Sequence, residues 1–133
     1  MIIRTREDAE RHAIREDKFI SRRYTLRADN MGHSVHETYI KPGEELHMWY
    51  RNHRETVLCL EGEGSIEDLT EGGRYALTPG VLYALDKHQQ HVLSSTSGMT
   101  LLCVFTPALV GPEDHDEQGS YPLYDDDGRL LRR

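Results

Sequence analysis

The chain has 133 residues and a mass of 15.4 kDa, the size of one domain with a single real core rather than two. Lys and Arg total 16 against 23 Asp and Glu, a net charge of −7, which argues against a nucleic acid or an anionic membrane as partner. The apolar share of 37% is above that of a disordered chain, and no apolar run is long enough to span a membrane.

The opening residues, Met1 to Asp8, are charged and lack the apolar core of a secretion signal, so a cytoplasmic location is expected. Thr5 to about Ile14 reads as a short helix, with Thr5 as its cap and Asp8 completing a weak capping box. From Phe19 onward the pattern changes to short β-type runs: 21–26, 34–40, 56–60, 65–68, 74–77, 81–85, 91–95 and 100–106. Turn residues separate them at Asn30–Gly32, Pro42–Gly43, Glu61–Gly64, Glu71–Gly73, Pro79–Gly80 and Ser97–Gly98. Gly62 and Gly64 are read as relieving a sharp reversal between strands, and no helix pattern follows to make them a phosphate loop. The expected architecture is all-β, an antiparallel sandwich or barrel forming one domain over residues 1–124. Residues 125–133, opening on Asp125, Asp126 and Asp127, read as a solvated, flexible tail. Cys59 and Cys103 each lie inside an apolar run and read as buried free thiols.

Eight histidines are many for this length, and all but His12 fall between His33 and His115, a first hint of a site. An acidic β-chain with Pro-Gly turns and scattered histidines resembles a cupin. The first cupin motif, Gly–x5–His–x–His–x3–Glu–x6–Gly, fits in frame as Gly43, Trp49, Arg51, Glu55 and Gly62, with both histidines replaced. The second fits as Gly80, Asp86, His88, His91 and Ser95, where only His91 keeps its type. Glu55 and His91 therefore hold two of the usual ligand positions, and Tyr83, on the strand leading to His91, is a third candidate. A carboxylate, an imidazole and a phenolate suit a metal of iron type and leave coordination positions open for a substrate. On spacing alone, Tyr83 and His91 read equally well as core lining and Glu55 as a surface charge.

A more specific resemblance rests on several motifs in order. They are Asp29–Gly32, His47–Glu55, Val57–Gly64, Pro79–His91, Cys103–Pro107 and Gly111–Leu123, together with the opening Met1–Asp8. Over about residues 1 to 124 the chain resembles the L-ectoine synthase family. That resemblance implies a small cytoplasmic jelly-roll cupin barrel, a head-to-tail homodimer, and one iron per barrel, with zinc or another divalent metal as alternatives. It implies a hydro-lyase that closes N-γ-acetyl-L-2,4-diaminobutyrate into the cyclic amidine ectoine, a compatible solute, with release of water. The family's metal ligands carry over onto Glu55, Tyr83 and His91. Its substrate-lining positions fall on Phe19, Ser21, Arg23, Thr38, Cys103 and Phe105, with Phe19 standing where the family pattern has Trp. Arg23 is suited to pair with the substrate carboxylate. Tyr50, Glu113 and His115 are the acid–base candidates, and Glu113 and His115 are expected to close over the pocket. Two alternatives stay open: a non-catalytic cupin binding a small osmolyte-like ligand, and a homologue acting on a related diamino acid. A cupin oxygenase or isomerase is disfavoured, because Trp49 and Arg51 occupy its His-x-His frame.

Overall fold

The computed structural model describes residues 1–133. Its elements are α1 (Arg6–Glu10), β1 (Ile14–Arg15), β2 (Phe19–Thr25), β3 (Ser34–Ile40), β4 (Glu45–Met48), β5 (Arg54–Asp68), β6 (Arg74–Leu77), β7 (Leu82–Leu85), β8 (His91–Thr106), β9 (Leu123–Tyr124) and β10 (Leu130–Arg132). The capping box at α1 is present. The Asp8 amide donates to Thr5 Oγ1 at 3.2 Å, and the Thr5 amide donates to Asp8 Oδ2 at 2.8 Å. The helix stops at Glu10, short of the expected Ile14, because Ile14 and Arg15 pair with Ser21 and Ile20 of β2.

Two long strands organise everything else. β5 and β8 pair antiparallel from Arg54 opposite Thr106 to Asp68 opposite His91. Along that length each strand serves two sets of neighbours. The first half of β5 also pairs with β7 and its second half with β6. The first half of β8 also pairs with β4 and its second half with β3, which in turn pairs with β2. The sheet thereby folds over itself around one core, to which Ile40, Val57, Cys59, Ile66, Leu77, Met99 and Leu101 all contribute.

The segments Glu61–Gly64 and Ser97–Gly98 are therefore not reversals. They face each other in mid-strand, where the register shifts and both strands bend. Gly62 has φ of +84°, and a Cβ there would lie 1.8 Å from the Gly98 carbonyl oxygen. A Cβ on Gly64 would lie 2.0 Å from the Ser94 carbonyl oxygen. The glycines let two backbones press together at a bend, which local sequence does not distinguish from a turn.

At the far end, β9 and β10 pair antiparallel, so residues 125–133 complete an exposed hairpin. Arg27 anchors its base, donating from Nη1 to the Asp125 carbonyl at 3.0 Å and from Nη2 to the Ala108 carbonyl at 3.1 Å. No helix is long and apolar enough to cross a membrane. Cys59 and Cys103 are buried and free, as expected.

Candidate active site

Strand alternation assembles the site. In the first half of β5, Glu55 and Val57 face inward. Glu55 lies opposite Leu85 of β7 and Phe105 of β8, and Val57 lies opposite Tyr83 and Cys103. One inner surface thus carries Glu55, Tyr83, Cys103 and Phe105. β2 and β3 continue it, with Ser21 opposite Thr38 and Arg23 opposite His36. Tyr50, after β4, and His115 and Tyr121, after β8, close the space from the open end.

These side chains, with Phe19 and several aliphatic groups, line one small, mostly apolar cavity. Phe19, Ser21, Thr38, Tyr50, Glu55, Tyr83, Cys103, Phe105 and His115 all stand in its wall. His91, Arg23 and Glu113 do not, and each sits behind it in a different way.

His91 is fully buried. Its Nδ1–H donates to the Gln89 carbonyl at 2.9 Å, so Nε2 carries the lone pair, and Nε2 has no partner. Its ring lies 5.7 Å from that of Tyr50. Burial holds the imidazole below its ordinary pKa. Glu55 is buried with no basic side chain beside it, and its carboxyl is pushed up to about 8 by burial, only partly offset by a hydrogen bond from the Cys103 thiol. The Tyr83 phenol is held well above its usual value, first by burial and then by the charge of Glu55. The Glu55 carboxyl and the half-buried Tyr83 phenol, two oxygen acids that resist ionisation, and an imidazole lone pair with no donor are the donor types that fit a divalent cation. Such a cation would restore the carboxylate and lower the phenol.

Arg23 is buried to 0% exposure with no carboxylate beside it. Its Nη1 donates to the Gly111 carbonyl at 2.6 Å and its Nε reaches Ser21 Oγ at 3.5 Å, while Nη2 has no partner. The guanidinium lies 5.6 Å from the Tyr121 ring centroid. Ser21 is shared with His36, a buried imidazole that also meets Ser34 Oγ at 3.0 Å. A buried guanidinium with an idle N–H has the chemistry to receive an anion.

Tyr50 and His115 form the one side-chain pair at the mouth with a direct proton path, Tyr50 Oη to His115 Nε2 at 2.7 Å. Burial lowers His115 to about 4, so it is neutral at pH 7, and its tautomer decides which of the two donates to the other. The Tyr50 phenol is raised well above its usual value, again chiefly by burial. Both rings stack on Tyr121, with centroids 5.1 and 4.5 Å away. Glu113 plays a different part. Its two carboxylate oxygens accept the backbone amides of Val110 and Gly111, each at 2.7 Å. It tightens the turn that presents the Gly111 carbonyl to Arg23 and does not line the cavity.

Sequence reasoning singled out neither Tyr121 nor His36. Tyr121 was visible only as one letter of the Gly119–Leu123 run, and its role as the shared stacking partner depends on a return of the chain that no local pattern encodes.

A family model described as ectoine synthase matches residues 1–125. The chain belongs to the ectoine synthase family. L-ectoine synthase of Alkalilimnicola ehrlichii is 55% identical over 108 residues, covering 80% of this chain and 82% of that protein. L-ectoine synthase of Saccharophagus degradans is 46% identical over 125 residues, covering 92% and 95%. Among solved structures, ectoine synthase from P. lautus superposes with a TM-score of 0.84 at 44% identity, over 100% of this chain and 99% of that one. An RmlC-like cupin from Shewanella frigidimarina, at 20% identity and a TM-score of 0.60 over 70% of this chain and 79% of that one, shares the cupin fold alone. The family match places the barrel among small antiparallel cupins with a short N-terminal helix, as the strand pattern and motif frames led one to expect.

Proposed function

We propose that this chain closes N-γ-acetyl-L-2,4-diaminobutyrate to ectoine with loss of water, and that Glu55, Tyr83 and His91 hold a divalent metal, iron(II) in preference to zinc. Membership of the ectoine synthase family supports the reaction. The observation that supports the site is a cavity lined by Glu55 and Tyr83, with two unpartnered buried nitrogens behind its wall, the His91 Nε2 lone pair and the idle Nη2 of Arg23.

Ring closure joins the substrate's α-nitrogen to its acetamide carbon. The carbon–oxygen bond breaks, and two of the ammonium protons end on the departing oxygen as water. A bound metal would supply Lewis-acid polarisation of the amide carbonyl. Arg23 takes the carboxylate at one end, and the apolar wall of Phe19 and Phe105 excludes bulk water. Holding both ends of one flexible chain removes much of the entropic barrier to closure. His115 Nε2 accepts a proton and Tyr50 Oη delivers one, using the hydrogen bond already present between them. Glu113 acts at one remove, through the Gly111 carbonyl that fixes Arg23. This catalytic pair is what favours an enzyme over a cupin that only binds an osmolyte-like ligand.

The same reading includes a head-to-tail homodimer working in the cytoplasm. The exposed apolar patch of Met1, Ile2 and Met31 supports a second copy as its cover; sedimentation at monomer mass would remove that part. The decisive assay supplies the acetylated diaminobutyrate and Fe(II) and follows ectoine by mass and NMR. Metal-loaded protein that makes none, or full activity in Glu55→Ala, overturns the reading.

A further inference from the structure

The turn between β7 and β8 carries a residue that the reaction scheme has not used. His88 adopts φ of +54°, a left-handed conformation uncommon outside Gly and Asn. Its half-buried ring is turned onto the loop that follows β4. Nδ1 lies 2.9 Å from the Tyr50 carbonyl oxygen and 3.1 Å from that of His53. Both partners are acceptors, so Nδ1 carries the proton and one N–H is shared between two carbonyls. The loop answers in kind: Trp49 Nε1–H donates to the His88 carbonyl at 3.0 Å. The next residue, Gln89, accepts the Nδ1–H of His91 on its carbonyl. Adjacent residues of one turn therefore hold two functional rings, one by way of its backbone and the other directly.

We propose that His88 is a positioning residue for the ring closure. Its shared Nδ1–H and its carbonyl pin residues 49–53 so that the Tyr50 O–H meets His115 Nε2. The left-handed backbone at His88 is what lets the ring and the carbonyl reach the same loop. The catalytic consequence rests on the function proposed above; the geometric consequence does not.

Two substitutions separate the side chain from the backbone. His88→Gly keeps the left-handed conformation and removes the donor. His88→Asn also tolerates that conformation and places an amide N–H close to where Nδ1 lies. In His88→Gly, kcat should fall on the order of ten- to a hundredfold, the cost of a misplaced acid–base group. KM should stay within about twofold and bound iron should be unchanged, since neither substrate nor metal meets His88. His88→Asn should recover most of the rate. The 15N shift of His115 Nε2 reports its hydrogen bond to Tyr50 directly, and should change in the glycine variant and return in the asparagine variant. Wild-type kcat and shift in His88→Gly would overturn the proposal. So would an asparagine variant as impaired as the glycine one, or a rate loss that only tracks iron loss. Should His88→Gly fail to fold, Trp49→Phe removes the return bond alone, and an unchanged His115 shift there overturns it. Wild-type protein that makes no ectoine counts against the function reading only, because the nitrogen shift still decides the clamp.

Discussion

The two poles of the cavity lack opposite things. Glu55, Tyr83 and His91 supply a buried carboxyl, a half-buried phenol and a free imidazole lone pair, with no cationic side chain paired to them. Around Arg23 there is a buried guanidinium with an idle N–H and no carboxylate. The two complement each other in charge, yet they do not pair: β5, β7 and β8 carry one and β2 carries the other. A fold that only needed stability would satisfy or delete such groups, since an uncompensated buried charge costs several kcal/mol. Their presence together supports the proposed site, with a cation at one end and the substrate carboxylate at the other.

Removing a ligand should break the comparison most severely. Glu55→Ala and His91→Ala are each expected to lose bound iron, read by elemental analysis, and to lower ectoine formation on the order of a hundredfold or more, the scale of losing metal assistance. Normal iron content in both would remove the ligand assignment. At the other pole, Arg23→Met should leave iron in place but cost about 2–5 kcal/mol in kcat/KM, the range for truncating one partner of a buried charge pair. The same substitution should raise, or at least hold, the melting temperature of the substrate-free protein, because it deletes an uncompensated buried charge. A simultaneous loss of stability would mean that Arg23 is held for packing.

The third test sharpens the comparison through pH. In the metal-free protein Glu55 is raised to about 8 from the ordinary 4.5, so the folded state holds its proton more tightly than the unfolded chain. Its contribution is full below pH 4.5 and fades as pH rises towards 8. His53 and His115, lowered to about 4, act in the opposite sense, and their contribution is lost as pH falls from 6.5 towards 4. Subtracting the Glu55→Gln variant isolates the carboxyl. The wild type should lose a few kcal/mol more than the variant between pH 5 and 8 without metal, by urea titration. Iron should abolish that difference, and a difference that persists with iron would argue against Glu55 as a ligand. The smallest effect is expected at the mouth, where the Phe19 ring lies 5.4 Å from that of His115. Phe19→Trp adds ring area against the substrate and should lower KM severalfold at most.

Much of this was legible in the residues themselves. The cupin frames pick out Glu55 and His91, the strand leading to His91 adds Tyr83, and the pairing of β5 with β7 puts Glu55 and Tyr83 on one face. Thr5 and Asp8 spelled the cap of α1, and it is there. What stayed hidden depended on contacts between distant segments. Gly62 reads as punctuation until Gly98 is seen opposite it. β4 shows no strand period in the sequence, because Glu45 to Met48 is too short to display one before Leu46 meets Leu93. Glu113 looked like an acid–base group because acidic side chains near a pocket usually are candidates. Only the fold reveals that two local amides already occupy its oxygens. Tyr121 could be recognised as the common floor of Tyr50 and His115 only once the chain had returned over the barrel mouth.

The two long strands carry a consequence for how the protein comes apart. Because β5 and β8 each belong to both halves of the barrel, neither half can melt while the other keeps its pairing. Unfolding should therefore be a single cooperative event, with no partly open species that still displays the metal ligands. Glu55 lies in the first half of β5, and His91 in the first half of β8, paired with the far end of β5. Under the proposed ligand set, capture of a metal and completion of the fold would be one equilibrium, and chelation should lower the melting temperature of the entire chain at once.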